Sequence, residues 1–366
     1  MMQSRGVDIL GMKNKIQKIG WGFGSCNMNC THCYNASTGH RFNYELTDLK
    51  KIADKICRQK ISDINFGTGE LLVNPNALKV ARYIKKKYPL VNLGLTTNGY
   101  SVVYMDEKIL KKAFHDIDVS IDFPNQQKHN QFRRHPLAWS WANQALATCQ
   151  RLGIESSIVT CATSETKDED ILKLLEMAKK YGTSLRINWF RPTGRGKKEF
   201  CISPLRFWQI IYLLSKHAIF EGLSDPLLQT FFAPHTKHHC ACGWTSARIQ
   251  QDMTVTPCVF LKGQNWASGH ILKNSLEKIY KHKNFKAIRL RKPVRCLKCP
   301  YYAGCQGGCA SRAYLQGDGL NKEDAYCPFK NKQTKKLIKK IKKTITVHDS
   351  NKVHNGYLCT LIIKPK

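Results

Sequence analysis

Acidic residues are scarce in this 366-residue sequence: 26 Asp and Glu stand against 59 Lys and Arg, a formal net charge of +33. Such an imbalance favours anionic partners, such as nucleic acid, a membrane surface or an acidic peptide, without naming one. Long apolar runs are also missing. No stretch of about 18 apolar residues occurs, which argues against membrane insertion. The segment from Met1 to Lys18 lacks the apolar core and cleavage pattern of a signal peptide, so a cytoplasmic protein is expected. No preorganised nucleic-acid machinery is visible. In a reducing compartment the 16 cysteines read as metal ligands rather than disulfide partners. With 42% hydrophobic residues the chain can bury the core of one large domain and a smaller one.

Between Lys15 and Phe190 short β-rich apolar runs alternate with longer segments of helical period, giving six βα-type units. The predicted strands are 18–23, 63–67, 91–97, 116–122, 155–163 and 184–190. Leu49, Ile52, Ala53 and Ile56 line one predicted helix face, and Ile171, Leu174, Leu175, Ala178 and Tyr181 line another. This alternation implies a parallel sheet with right-handed crossovers, open or curled into a barrel, and in a barrel the chemistry sits at the C-terminal strand ends. A basic turn at 192–198 and a helix at 204–220 lead to a cysteine-rich region, with a boundary near residue 235. The expected division is 15–200, 201–235 as a connecting helical segment, 236–330 and 331–366. Residues 330–343 hold eight lysines and no acid, with Leu337, Ile338, Ile341 and Ile345 as a weak apolar stripe. Residues 344–366 read as a small hairpin turning at Asn355 and Gly356.

Cys26, Cys30 and Cys33 form CxxxCxxC in the loop after the first strand. Three thiolates on so short a loop can hold three irons of a 4Fe–4S cube and leave the fourth open to a ligand; a zinc site completed from elsewhere, or free thiols, would use the same spacing. Later strand ends add to the pattern: Phe66-Gly67-Thr68-Gly69-Glu70, then Thr96-Thr97-Asn98-Gly99, then Ser120-Ile121-Asp122, then His129, Asn130 and Arg133. In this order the sequence resembles the radical S-adenosylmethionine superfamily, and the resemblance spans residues 21–190. It implies a partial (β/α)6 TIM-like barrel in which Cys26, Cys30 and Cys33 bind the radical-generating cluster. The same resemblance places the cofactor's amino group at Thr68, Gly69 and Glu70, with Asn98 at the next strand end, and its carboxylate at Ser120 and Arg133, Arg134 being an equal bearer of that role. Thr68 stands where the family has a glycine.

Cys296, Cys299, Cys305 and Cys309 give CxxCxxxxxCxxxC, preceded by Cys242 and Cys258 and followed by Cys327. Two zinc knuckles are the plain alternative. The order resembles the SPASM extension, a C-terminal cysteine-rich iron–sulfur domain with two auxiliary 4Fe–4S clusters, making three in all. The resemblance assigns Cys242, Cys258 and Cys309 to one cluster, with Cys240 as a candidate fourth ligand, and Cys296, Cys299, Cys305 and Cys327 to the other. Met253 occupies the usual place of a glycine. Cys57 and Cys149, in predicted helices, read as small buried hydrophobes.

His235, His238 and His239 read as solvated surface. Arg191 or Arg195, after the sixth strand, would suit a carboxylate or phosphate, or simply form a basic turn. Cofactor and fold are shared by many reactions, so the substrate rests on the extension. Its resemblance to maturases implies a peptide or protein substrate that is oxidised, cross-linked or excised. A dehydrogenase or modifier of a small molecule or tetrapyrrole is the second reading, and a non-catalytic iron–sulfur electron carrier a third. Such an enzyme needs an external electron donor of flavodoxin or ferredoxin type, and a separate leader-binding protein is expected. Cys161 is a weak candidate hydrogen donor.

Overall fold

The computed structural model describes residues 16–36, 42–234, 240–317, 319–348, 357 and 359–366. Six parallel strands follow the predicted ones closely: β1 Lys18–Trp21, β2 Asp63–Phe66, β3 Asn92–Thr97, β4 Asp116–Ser120, β5 Glu155–Ala162 and β6 Ser184–Trp189. β2 and β4 are buried along their whole length, as strands covered on both faces must be. The crossover helices bury the anticipated stripes: Leu49, Ile52, Ala53 and Ile56 on one, Ile171, Leu174, Leu175 and Ala178 on another. Tyr181, just past the helix end, is half-buried. Cys57 and Cys149 are buried helical residues, as expected.

Five further strands extend this sheet: β7 Ala218–Leu223, β8 Ser246–Ile249, β9 Val255–Thr256, β10 Thr346–Val347 and β11 Thr360–Pro365. The order is β10-β7-β11-β6-β5-β4-β3-β2-β1-β8-β9, and the sheet curls into a partial barrel with the cysteine-rich region beyond β8. The helix expected at 204–220 ends at His217, because Ala218, Phe220 and Gly222 alternate into a buried strand face. The C-terminal segment is not a hairpin. β10 pairs with β7, while β11 inserts antiparallel between β6 and β7, so each strand is satisfied by a distant partner rather than by the other. Asn355, Gly356 and the boundary near residue 235 lie outside the described residues. No helix among the described residues is long and apolar enough to cross a membrane.

Candidate active site and cysteine-lined cavities

A cavity of about 180 Å³ opens at the C-terminal ends of the parallel strands. Cys26, Cys30 and Cys33 line it together with Thr68, Gly69 and Glu70 from the β2 end and Asn98 from the β3 end. Ser120, Arg133 and Cys161 also line it, so the candidate cofactor positions other than Arg134 reach one space. Arg134 does not line it: this exposed residue caps the helix Gln126–Arg133 in a left-handed conformation, φ 51°.

Backbone contacts explain how the cysteine loop is held. The Phe23 and Gly24 amides donate to Thr68 O at 3.1 and 3.0 Å, and the Glu70 amide donates to Ser25 O at 2.8 Å. Gly69 sits at this crossing with φ +86°, where a Cβ would meet Ser25 O at 2.2 Å. Thr68, the departure from the family glycine, is accommodated by Gly22 opposite, since a Cβ there would lie 2.7 Å from Thr68 Cβ. Its hydroxyl pairs with Tyr34 Oη at 2.9 Å and accepts from Arg248 Nη2. Arg248 comes from β8 beside β1, so the cysteine-rich half of the chain braces the β2 turn.

Glu70 is buried, and its carboxylate accepts from Thr97 Oγ1 at 2.5 Å, Asn98 N at 2.8 Å and Ser101 N at 3.0 Å. It therefore fixes the β3 end rather than facing a ligand through those oxygens. Asn98 Nδ2 in turn donates to Asn27 Oδ1 at 2.8 Å and lies 3.9 Å from Cys26 Sγ. Arg133 Nε donates to Asp122 Oδ2 at 2.7 Å, and Asp122 Oδ1 accepts from the Cys161 amide at 3.0 Å. Burial would raise the Asp122 pKa, but the facing Arg133, with His32 and His129, holds it down at about 2. Burial pushes the Cys161 thiol well up, so it keeps its proton.

The turn after β6 has a more definite use than a basic surface. Gly194 has φ +68°, and a Cβ on it would meet Tyr34 O at 2.3 Å and Cys33 O at 2.4 Å. Next to it, the Arg195 amide donates to Cys33 O and its Nη1 to Cys30 O, both at 2.9 Å. Arg195 thus clamps the cysteine loop. Arg191 is 1% exposed and donates to Trp189 O and to Cys309 Sγ.

Two smaller cavities, each about 30 Å³, are lined by the candidate cysteines of the C-terminal region. Cys240, Cys242, Cys258 and Cys309 line one; Cys296, Cys299, Cys305 and Cys327 line the other, and Cys305 reaches both. Thiol-rich walls of this kind suit iron–sulfur clusters. Cys359, unassigned from sequence, joins the first set because β11 carries it there; its thiol donates to Asp225 Oδ2 at 3.0 Å. Between the sets, fully buried Arg312 pairs with Asp225 and with Asp324, while Asp324 Oδ2 accepts from the Cys309 amide at 2.6 Å. Met253, at the position where the resemblance expects a glycine, adopts φ +61°, in the left-handed region that favours glycine. His235, His238 and His239 lie outside the described residues.

Comparison with known proteins agrees with this geometry. The radical SAM superfamily profile matches residues 23–178, and the iron–sulfur cluster-binding SPASM profile matches residues 240–300. An AdoMet-dependent heme synthase of Methanosarcina barkeri is 25% identical over 88% of this chain and 99% of its own. The mycofactocin maturase MftC of Mycolicibacterium smegmatis is 24% identical over 83% of this chain and 80% of its own. Streptococcus suis SuiB, solved with its precursor peptide SuiA, superposes with a TM-score of 0.70 at 13% identity, covering 86% of this chain and 76% of that one. The chain belongs to the radical S-adenosylmethionine superfamily, carries a SPASM iron–sulfur domain, and is an iron–sulfur enzyme.

Proposed function

We propose that this enzyme oxidatively modifies residues of a ribosomally made peptide or protein, by cross-linking, thioether formation or backbone excision, using S-adenosylmethionine and three 4Fe–4S clusters. The observation that carries this reading is a shared wall: Arg191 and Phe260 line both the cavity of Cys26, Cys30 and Cys33 and that of Cys242, Cys258 and Cys309. A radical formed in the first would sit one side-chain layer from an electron-accepting centre in the second. The maturase relative and the peptide-bound structural neighbour support a peptide as the substrate.

When bound, the cofactor and its cluster supply a 5'-deoxyadenosyl radical that abstracts hydrogen from unactivated C–H bonds. The chain's own residues do the rest. Cys26, Cys30 and Cys33 hold the cluster, the carbonyls of the Thr68–Glu70 turn receive an ammonium group, and Ser120 and Arg133 receive a carboxylate, with Asp122 fixing the Arg133 guanidinium. Asn98 is held beside Cys26, and the clamp by Gly194 and Arg195 keeps the loop closed against water. Cys161, a protonated thiol on the same cavity, is placed to return a hydrogen atom if the reaction is redox-neutral. A flavodoxin- or ferredoxin-type protein would supply electrons, a separate protein would bind the leader, and the enzyme would work in the cytoplasm.

Modification of a tetrapyrrole is the second reading, favoured by the heme synthase relative, which matches over 99% of its length. Mass spectrometry of candidate precursor peptides coexpressed with this protein separates the two. A mass change in a peptide that depends on Cys26 supports the first reading; turnover of a tetrapyrrole with every peptide unchanged supports the second.

A further inference from the structure

Arg191 has no carboxylate partner among the described ion pairs. Its guanidinium stands in the wall between the two cavities, stacked 4.3 Å above the Phe260 ring. Nη1 donates to Trp189 O at 2.8 Å and Nη2 to Cys309 Sγ at 3.2 Å, while the buried Nε has no partner. Nearby Arg312 also lies close to Cys309, but Asp225 and Asp324 compensate its charge. Arg191 is therefore a buried cation without an ion-pair partner among the described residues on this side of the cysteine-rich region; Arg291 is another, but it donates to the Gly307, Gly308 and Lys322 carbonyls and not to a thiol.

The charged groups around the two thiol sets differ. Arg191 and Arg291, neither in a described ion pair, line the cavity of Cys242, Cys258 and Cys309, whereas that of Cys296, Cys299, Cys305 and Cys327 is lined by Glu323, paired with Arg295 and Lys330, and by Asp324, paired with Arg312. A reduced cluster carries one more negative charge than an oxidised one. An N–H donated to a ligand sulfur, and a buried cation beside it, stabilise the reduced form and raise the potential; buried carboxylates lower it.

We propose that Arg191 is a positioning residue for electron flow: through its hydrogen bond to Cys309 it raises the potential of the cluster held by Cys242, Cys258 and Cys309 and so makes that cluster the acceptor for the reacting carbon. The assignment rests on the three-cluster reading above. The electron balance is as follows. The substrate carbon loses a hydrogen atom to the 5'-deoxyadenosyl radical, then one electron to this cluster and one proton to solvent, a two-electron oxidation in all. The reduced cluster passes its electron to a one-electron carrier of the flavin or iron–sulfur class.

The test is a redox titration followed by electron paramagnetic resonance, on protein reconstituted anaerobically in a Cys26→Ala, Cys30→Ala, Cys33→Ala background, so that only auxiliary signals remain. Arg191→Met should lower the midpoint of the higher-potential signal by at least tenfold in the reduced-to-oxidised ratio, about 59 mV for one electron. The other signal should not move, and Arg191→Lys should recover most of the shift. Unmoved midpoints at full iron content, or both signals moving together, would overturn the assignment. Should the Met variant lose iron, Arg191→Gln, neutral but still a donor, decides: a midpoint equal to the parent's overturns it. A parent with a single auxiliary signal contradicts the three-cluster reading itself, whereas two signals indifferent to Arg191 contradict only the role given to that residue.

Discussion

Replacing Arg312 by Met should be among the most damaging single changes in the cysteine-rich half of the chain. The Arg312 side chain is 0% exposed, and its partners Asp225 and Asp324 are 0% and 1% exposed. Removing one member of a buried pair costs about 3 to 5 kcal/mol, because the remaining charge is left without its counter-ion. Here two carboxylates are stranded, although each keeps other donors: Leu227 N and the Cys359 thiol for Asp225, Cys309 N and Tyr326 N for Asp324. A loss of about 5 kcal/mol is therefore expected, below the sum of two separate pairs. Because Asp324 also orients the Cys309 amide, the two thiol sets should lose their relative placement. Urea unfolding followed by circular dichroism measures the loss. One feature identifies its cause. Adding Asp225→Asn and Asp324→Asn to Arg312→Met should recover a large part of the stability, since no buried charge remains unpaired. A single variant within about 1 kcal/mol of the wild type, or no recovery on neutralising both acids, would refute this reasoning.

Three further outcomes are expected. Burial holds His129 neutral with a pKa of about 3, so it contributes stability above the unfolded value near 6.5 that is lost as pH falls toward 3, at most about 5 kcal/mol; His129→Gln should flatten the acid limb of a stability–pH profile, and an unchanged limb would count against it. The helix Lys332–Thr344 buries Ile338 and Ile341 and leaves its lysines exposed, and docking of an acidic peptide there should weaken with salt over a Debye length of about 8 Å; binding that ignores both salt and lysine-to-glutamine replacement would leave a merely solvated face. If the reaction is oxidative, Cys242→Ala or Cys258→Ala should block a product lighter by two hydrogens yet spare 5'-deoxyadenosine, whereas a product of unchanged mass carrying one solvent deuterium would point to Cys161 as hydrogen donor.

The parallel half of the fold was legible because each strand is a local apolar run followed by its own helix, and neighbours in sequence are neighbours in the sheet. The added strands were not, for a physical reason: β8 pairs with β1 and β11 enters between β6 and β7, partners some 140 to 230 residues away that no local pattern encodes. The same non-local pairing hid Cys359, which reaches the first auxiliary thiol set only through β11. Among site residues, cysteine spacing was informative because three thiols on one short loop must converge. The bracing by Arg195 and Arg248 left no such trace; only Gly194 signalled it, and a glycine in a basic turn has many ordinary explanations. Thr68 looked like a defect until Gly22 and Arg248 were seen to receive its side chain.

The central claim is that Cys26, Cys30 and Cys33 support reductive cleavage of S-adenosylmethionine. The direct measurement is 5'-deoxyadenosine released by anaerobically reconstituted protein supplied with the cofactor and dithionite. Wild type and the Cys296→Ala, Cys305→Ala variant should both release it, and the Cys26→Ala, Cys30→Ala, Cys33→Ala variant should release none. Release by the triple variant at the wild-type rate would contradict the account.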